Sequence, residues 1–245
     1  SDEQSYARFE REVRTLLTLS QLSHPGIVRY LHHGRTADGH PYLAMEWLVG
    51  EDLAVHMHRQ PLSPVEALLI GRGVVGALAA AHEKGVVHRD IKPANIFLVD
   101  GDPQRVRLLD FGIARMSGAV ALTATGAVLG TPAYMAPEQV RGERELSATV
   151  DLYSLGCVFF ETLSGGPPFP EGEHPMSVFA KILLDTPPPL ASLRPELPLA
   201  LTGLVDRLLN KDPAQRPQTA KAVLESLERI DLRSLGSLRV GPSLV

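Results

Sequence analysis

Cysteine is nearly absent from this sequence. Cys157 stands alone, which excludes an internal disulfide and fits a reducing, cytoplasmic compartment. Lysine is scarce too. Lys84, Lys92, Lys181, Lys211 and Lys221 are the only lysines among 24 basic residues, and none precedes Lys84. Surplus positive charge is also missing. With 28 acidic residues and a formal net charge of −4, the chain has no basic field to hold a polyanion, so nucleic acid is not an expected partner. A long apolar run is missing as well. The longest uncharged stretch, Met116 to Pro137, is broken by three Gly, three Thr, two Pro and a Ser. That composition reads as a loop and not as a membrane segment, and its Gly126-Ala-Val-Leu-Gly130 matches the small-xxx-small spacing of packed membrane helices only formally. What remains is a length of 245 residues, suited to one large domain or two small lobes, and an apolar share of 44%, enough for a sizeable core.

The densest chemistry lies in His88-Arg89-Asp90-Ile91-Lys92-Pro93-Ala94-Asn95. A helix-like apolar run, Val74 to Ala81, leads in, and Ile96-Phe97-Leu98-Val99 leads out. Asp110-Phe111-Gly112 follows fifteen residues after Asn95, behind the apolar pair Leu108-Leu109. The spacing predicts a hairpin with two carboxylates and an amide at its ends. An acceptor-only carboxylate, Asp90, suits the removal of a hydroxyl proton, while Asp110 and Asn95 offer hard oxygen ligands for Mg²⁺. Lys92 supplies a point charge for a phosphate oxygen.

Elsewhere the pattern is more structural. Residues 5–22 read as an amphipathic helix, with Phe9, Val13, Leu16 and Leu17 on one face. Residues 27–33 and 41–47 alternate like strands about the turn Asp38-Gly39. Ser63-Pro64-Val65-Glu66 is a helix start with a capping box, and Gly85 ends that helix. Inside it, Gly71, Gly73 and Gly76 spell a formal G-x-G-x-x-G. The dinucleotide fingerprint must follow a strand and open a helix; this one is mid-helix, so close helix packing is the reading adopted. An apolar helix begins at Asp151 and runs to Leu163, and further helices cover 176–184, 199–209 and 219–232.

His-Arg-Asp-x-Lys-Pro-x-x-Asn, Asp-Phe-Gly, Ala136-Pro137-Glu138, the Asp151 helix and Asp212-Pro213-Ala214-Gln215-Arg216-Pro217 occur in that order. Together they resemble the eukaryotic-type protein kinases, and most of all the bacterial serine/threonine branch, across residues 8–232. Lys92 and Gly130-Thr131-Pro132-Ala133-Tyr134 favour that branch. The resemblance implies an α+β, protein-kinase-like two-lobe fold: a partial small lobe over 1–48, a complete, mainly helical large lobe over 49–232, and a tail or linker over 233–245. It implies transfer of the ATP γ-phosphate to protein serine or threonine hydroxyls with Mg²⁺, or Mn²⁺. Asp90, Lys92, Asn95 and Arg89 take the catalytic positions. Glu12, Met45, Glu46, Leu48, Asp52, Phe97 and Asp110 fall at the nucleotide, with Asn95 and Asp110 on the metal. His88, Phe111, Glu138, Asp151 and Arg216 take structural positions, Arg216 pairing with Glu138 and Asp151 holding the catalytic-loop backbone. Thr123 or Thr125 would be the activating phosphosite, held by Arg89, and Thr131 would line the substrate pocket. Implied partners are protein substrates, ATP and a second copy for autophosphorylation, with the parent protein tethered to a membrane in some relatives.

One departure is serious. The lysine that would pair with Glu12 and the phosphates is not in the sequence, nor is a glycine-rich loop ahead of the first helix. The expectation is a kinase whose small lobe is incomplete here and which is inactive in this form. The alternative is a pseudokinase or scaffold that binds partners without phosphoryl transfer. A third class, small-molecule phosphotransferases with the same Asp-x₄-Asn spacing, is disfavoured by residues 126–138.

Overall fold

The computed structural model describes residues 24–111, 132–170, 175–236 and 238. The expected first helix, with Glu12, lies outside them, as do Thr123, Thr125 and Thr131.

Strands β1 (Tyr30–Arg35) and β2 (Pro41–Met45) form an antiparallel hairpin, with Tyr30 opposite Met45 and Arg35 opposite Pro41. Gly39 turns it at φ 81°, a conformation that favours glycine. The first strand starts later than residue 27 for a physical reason. Residues 26–28 are committed elsewhere: the Leu108 N–H donates to the Gly26 carbonyl (2.8 Å) and the Val28 N–H to the Leu108 carbonyl (3.1 Å). A second antiparallel sheet runs β3 (Gly50–Asp52), β4 (Ile96–Val99), β5 (Val106–Leu108) in that order.

Helix α1 (Leu53–Arg59) begins directly after β3, where Asp52 caps it by accepting the Val55 N–H at 2.9 Å. Its seven residues are too few for an apolar period to stand out in the sequence. Helix α2 (Pro64–His82) carries the expected capping box: the Glu66 N–H donates to Ser63 Oγ (3.2 Å) and the Ser63 N–H to Glu66 Oε2 (2.8 Å). By length and composition alone α2 could cross a membrane. Here it is a core helix, packed against β5 and against α4 (Thr149–Ser164) and α8 (Ala220–Glu228). Its glycines are contact points. A Cβ on Gly71 would lie 2.0 Å from Phe159 Cζ of α4, and one on Gly73 would lie 3.0 Å from Val106 Cβ of β5.

Every residue of α4 from Thr149 to Leu163 is buried, and α4 packs against α2, the Pro132–Tyr134 turn and the helices Leu190–Leu193 and Leu199–Leu208. Among the described residues between β5 and α4 come a 3₁₀ turn (Pro132–Tyr134) and the short α3 (Pro137–Val140). After it come α5 (Pro175–Leu184), α6 (Leu190–Leu193), α7 (Leu199–Leu208), α8 and α9 (Leu232–Leu235). Phe169, Val178 and Ile182 form a small second core under α5. The packed chain runs to at least Leu235, which is 1% exposed, beyond residue 232 where the sequence reading begins the tail. Arg72 of α2 secures this end by donating to the carbonyls of Leu227 (2.7 Å) and Ile230 (3.0 Å). The architecture is α+β, with two small sheets and a mainly helical body.

Candidate active site

The hairpin of β4 and β5 fixes the polar groups singled out in the sequence. Ile96 faces Leu108 across the ladder, and the Leu109 N–H donates to the Asn95 carbonyl at 2.9 Å. The residues flanking the hairpin's open end, Asn95 and Leu109-Asp110, are therefore neighbours. Before β4 the chain makes a 3₁₀ turn, Pro93–Asn95, because Pro93 sets its φ and cannot donate.

Three side chains converge there. Lys92 Nζ donates to Asp90 Oδ2 at 2.8 Å. Asn95 Nδ2 donates to Asp90 Oδ2 at 3.0 Å and to the Asp90 carbonyl at 2.7 Å. The Asp90 carboxylate is thus fixed, not free to rotate. Asn95 is buried, and with its amide nitrogen spent on Asp90, its Oδ1 is the atom left for a ligand. Asp110 is exposed at φ 42°, an uncommon conformation for a residue other than glycine.

Behind these residues lies a buried carboxylate. Asp151, fully buried, accepts the Arg89 N–H on Oδ1 (2.7 Å), and the His88 N–H (2.8 Å) and His82 Nε2 (2.8 Å) on Oδ2. Three donors offset the desolvation of that charge. His82 was not singled out in the sequence, and no local signal marks it: it is the last residue of α2, 69 positions from its partner. His88 is buried, which holds its imidazole below its ordinary value and so neutral. Its Nε2 hydrogen meets the Leu109 carbonyl (2.8 Å) and its Nδ1 takes the Asp90 N–H (3.3 Å). The ring packs against buried Phe111 with centroids 4.5 Å apart.

A family model described as "Protein kinase domain" matches residues 1–227. The chain belongs to the protein kinase family. Among similar proteins, the serine/threonine-protein kinase pkn3 of Myxococcus xanthus is 38% identical over 94% of this chain and 43% of its own length. The serine/threonine-protein kinase PknB of Mycobacterium tuberculosis is 37% identical over 94% and 36%. A crystal structure of Rad53 1-466 in complex with AMP-PNP superposes with a TM-score of 0.71 and 30% identity, covering 88% of this chain and 53% of that one. The chain therefore spans less than half the length of these curated relatives.

In this chain the pair expected between Glu138 and Arg216 is present and bidentate, at 2.7 and 2.8 Å, with both residues buried. Arg216 also donates to the Thr149 carbonyl (3.0 Å), and its guanidinium lies 4.9 Å from the Tyr153 ring. Met45, half-buried, closes β2. The Glu46 N–H is used by the Arg29 carbonyl, and its carboxylate accepts the Arg29 N–H, both at 2.8 Å. Among the described residues the Glu46 carbonyl and the Leu48 backbone have no backbone partner. Asp52 pairs with half-buried Phe97 across β3 and β4, and one Asp52 oxygen is occupied by the α1 cap. Arg89 Nε is buried with no hydrogen-bond partner among the described residues.

The chain also holds a polar contact that no sequence motif marked. Tyr134 donates its hydroxyl to Glu161 Oε2 (2.7 Å), and its carbonyl accepts from Ser154 Oγ (2.7 Å). Ser154 and Glu161 sit inside an apolar helix, and that interruption is the signal that could have drawn attention to them.

Proposed function

We propose that this chain is the catalytic part of a serine/threonine protein kinase that transfers the ATP γ-phosphoryl group to protein hydroxyls. One observation carries the reading: the Asp90 carboxylate is held between Lys92 Nζ and Asn95 Nδ2 at the open end of a hairpin that also bears Asp110. Asp90 orients the substrate hydroxyl and takes its proton, and Lys92 offsets charge on the phosphoryl oxygens. Asn95 Oδ1 and the Asp110 carboxylate fit Mg²⁺ or Mn²⁺. Among the described residues no group of three or more His, Cys, Asp or Glu could hold a metal, but Mg²⁺ needs only one or two protein ligands when phosphates and waters supply the rest. Held there by Asn95 and Asp110, such a cation would supply charge neutralisation to the phosphates.

The adenine is assigned to the segment after Met45, through the Glu46 carbonyl and the Leu48 backbone, with Phe97 beneath it and Asp52 near the ribose. Residues 1–48 are assigned to the small lobe, 49–232 to the large one and 233–245 to a tail or linker. No lysine precedes Lys84 to pair with Glu12 and the phosphates, so these 245 residues alone transfer little phosphate. Activation is assigned to phosphorylation at Thr123 or Thr125, a reading supported by the buried Arg89 Nε, which has no hydrogen-bond partner among the described residues. A second copy is the natural source of that phosphate, and the parent protein is membrane-tethered or cytoplasmic according to what accompanies this part.

The test is Asp90→Asn in the full-length kinase. Phosphoryl transfer to a protein substrate is lost in a radiolabel assay, while nucleotide affinity, read by thermal shift with Mg-ATP, is retained. Near-normal turnover would remove Asp90 from its role.

A further inference from the structure

We infer that Gln139 is a positioning residue for Asp90, the link through which α3 sets the orientation of the catalytic carboxylate. Gln139 lies in α3, half-buried. Its Oε1 accepts the Ala136 N–H at 3.0 Å, and its Nε2 donates to the Arg89 carbonyl at 3.0 Å. A backbone N–H can only donate and a carbonyl can only accept, so these two partners fix which way the amide faces.

The carbonyl it holds belongs to an unusual residue. Arg89 sits at φ 66°, in the left-handed region that a long side chain rarely adopts. Such a conformation persists only where the surroundings over-determine it. Here the Arg89 N–H is held by Asp151 Oδ1 of α4 at 2.7 Å, and its carbonyl is held by Gln139 of α3. The next peptide group is that of Asp90. Its own N–H bond, to His88 Nδ1, is long at 3.3 Å. Gln139 therefore supplies the shorter of the two bonds that fix the plane of the Arg89–Asp90 peptide, and rotation of that plane swings the Asp90 Cβ. Helix α3 is itself anchored, because Glu138, the residue before Gln139, is clamped by Arg216. A continuous chain of contacts runs from Arg216 through Glu138 and Gln139 to the backbone of Asp90. Gln139 acts on the reaction only through that backbone.

This inference rests on the kinase reading of Asp90, and the experiment separates the two. In the full-length kinase, Gln139→Glu keeps an acceptor for the Ala136 N–H but puts an oxygen where the Arg89 carbonyl needs a donor. Gln139→Met removes both bonds at similar length. A misplaced catalytic group costs on the order of tenfold to a hundredfold in rate. Both variants lose kcat by about that factor, with the KM for ATP unchanged. Wild-type kcat in either variant overturns the inference. So does a kcat loss in Gln139→Glu accompanied by an equal loss of nucleotide affinity, which would mark a merely structural role. Asp90→Asn is assayed alongside. If it is inactive while Gln139→Glu is fully active, only the role of Gln139 falls; if it is active, the reading of Asp90 falls first.

Discussion

Asp151 and Glu161 share one buried helix, and their surroundings treat them differently. Asp151 receives three N–H donors from the catalytic loop and α2. Glu161 receives one hydroxyl, from Tyr134, and burial pushes its carboxyl above the usual glutamate range despite that bond. The folded state thus holds the Glu161 proton more tightly than the unfolded state does. The stability this group contributes is fully present below about pH 4.5, its ordinary value, and is lost as pH rises through the folded value. Glu161→Gln keeps an acceptor for Tyr134 and cannot ionise. Its Tm is expected to gain on that of the unaltered protein as pH rises from about 4.5 to neutrality. Thermal unfolding across that range checks this, and a constant difference would show that Glu161 is not the titrating group. At the same scale Asp90, Lys92 and Asn95 were legible from spacing alone, because a turn of fixed length lies between them. His82 and Gln139 were not, since each meets its partner across dozens of residues.

At the level of elements, α2 shows how one motif divides on folding. Its three glycines are equivalent as a sequence pattern, and the dinucleotide reading fails because the capping box at Ser63 places them mid-helix. Their neighbours then separate them. A Cβ at Gly71 meets the Phe159 ring at 2.0 Å, whereas one at Gly76 meets only His24 Cε1 at 3.9 Å. Gly71→Ala therefore overpacks the contact between α2 and α4 and is expected to cost about 1–3 kcal/mol. Gly76→Ala meets no obstacle and gains helix propensity, up to about 1 kcal/mol. Urea denaturation of both variants gives the comparison, and equal effects would contradict this account. Capped, long or strongly apolar elements such as α2 and α4 could be read from sequence because local rules define them. The short helices α1, α3 and α6 could not, since four to seven residues leave too little period and they are held by neighbours.

Across the whole molecule, the proposed switch joins parts far apart in sequence. Arg89 adjoins Asp90, the proposed catalytic aspartate, and has a buried nitrogen without a partner among the described residues. A phosphothreonine adds about −1.5 to −2 charges and three acceptor oxygens, which suits that guanidinium. Thr123→Ala with Thr125→Ala is expected to lower the activity of the full-length kinase strongly. Arg89→Ala is expected to mimic the loss, with no further loss in the triple mutant. Mass spectrometry of active enzyme with both threonines unmodified would refute the mechanism. The sequence by itself pointed to the family, to the capped and strongly apolar helices and to the residues proposed to react. These follow from local rules: caps, periods, turn residues and short fixed spacings. Only the tertiary structure decided which nitrogens bond Asp151, that Leu235 is buried and that Gln139 reaches Arg89. Each of these depends on distances between chain segments far apart in sequence, and such distances are set by packing around α4.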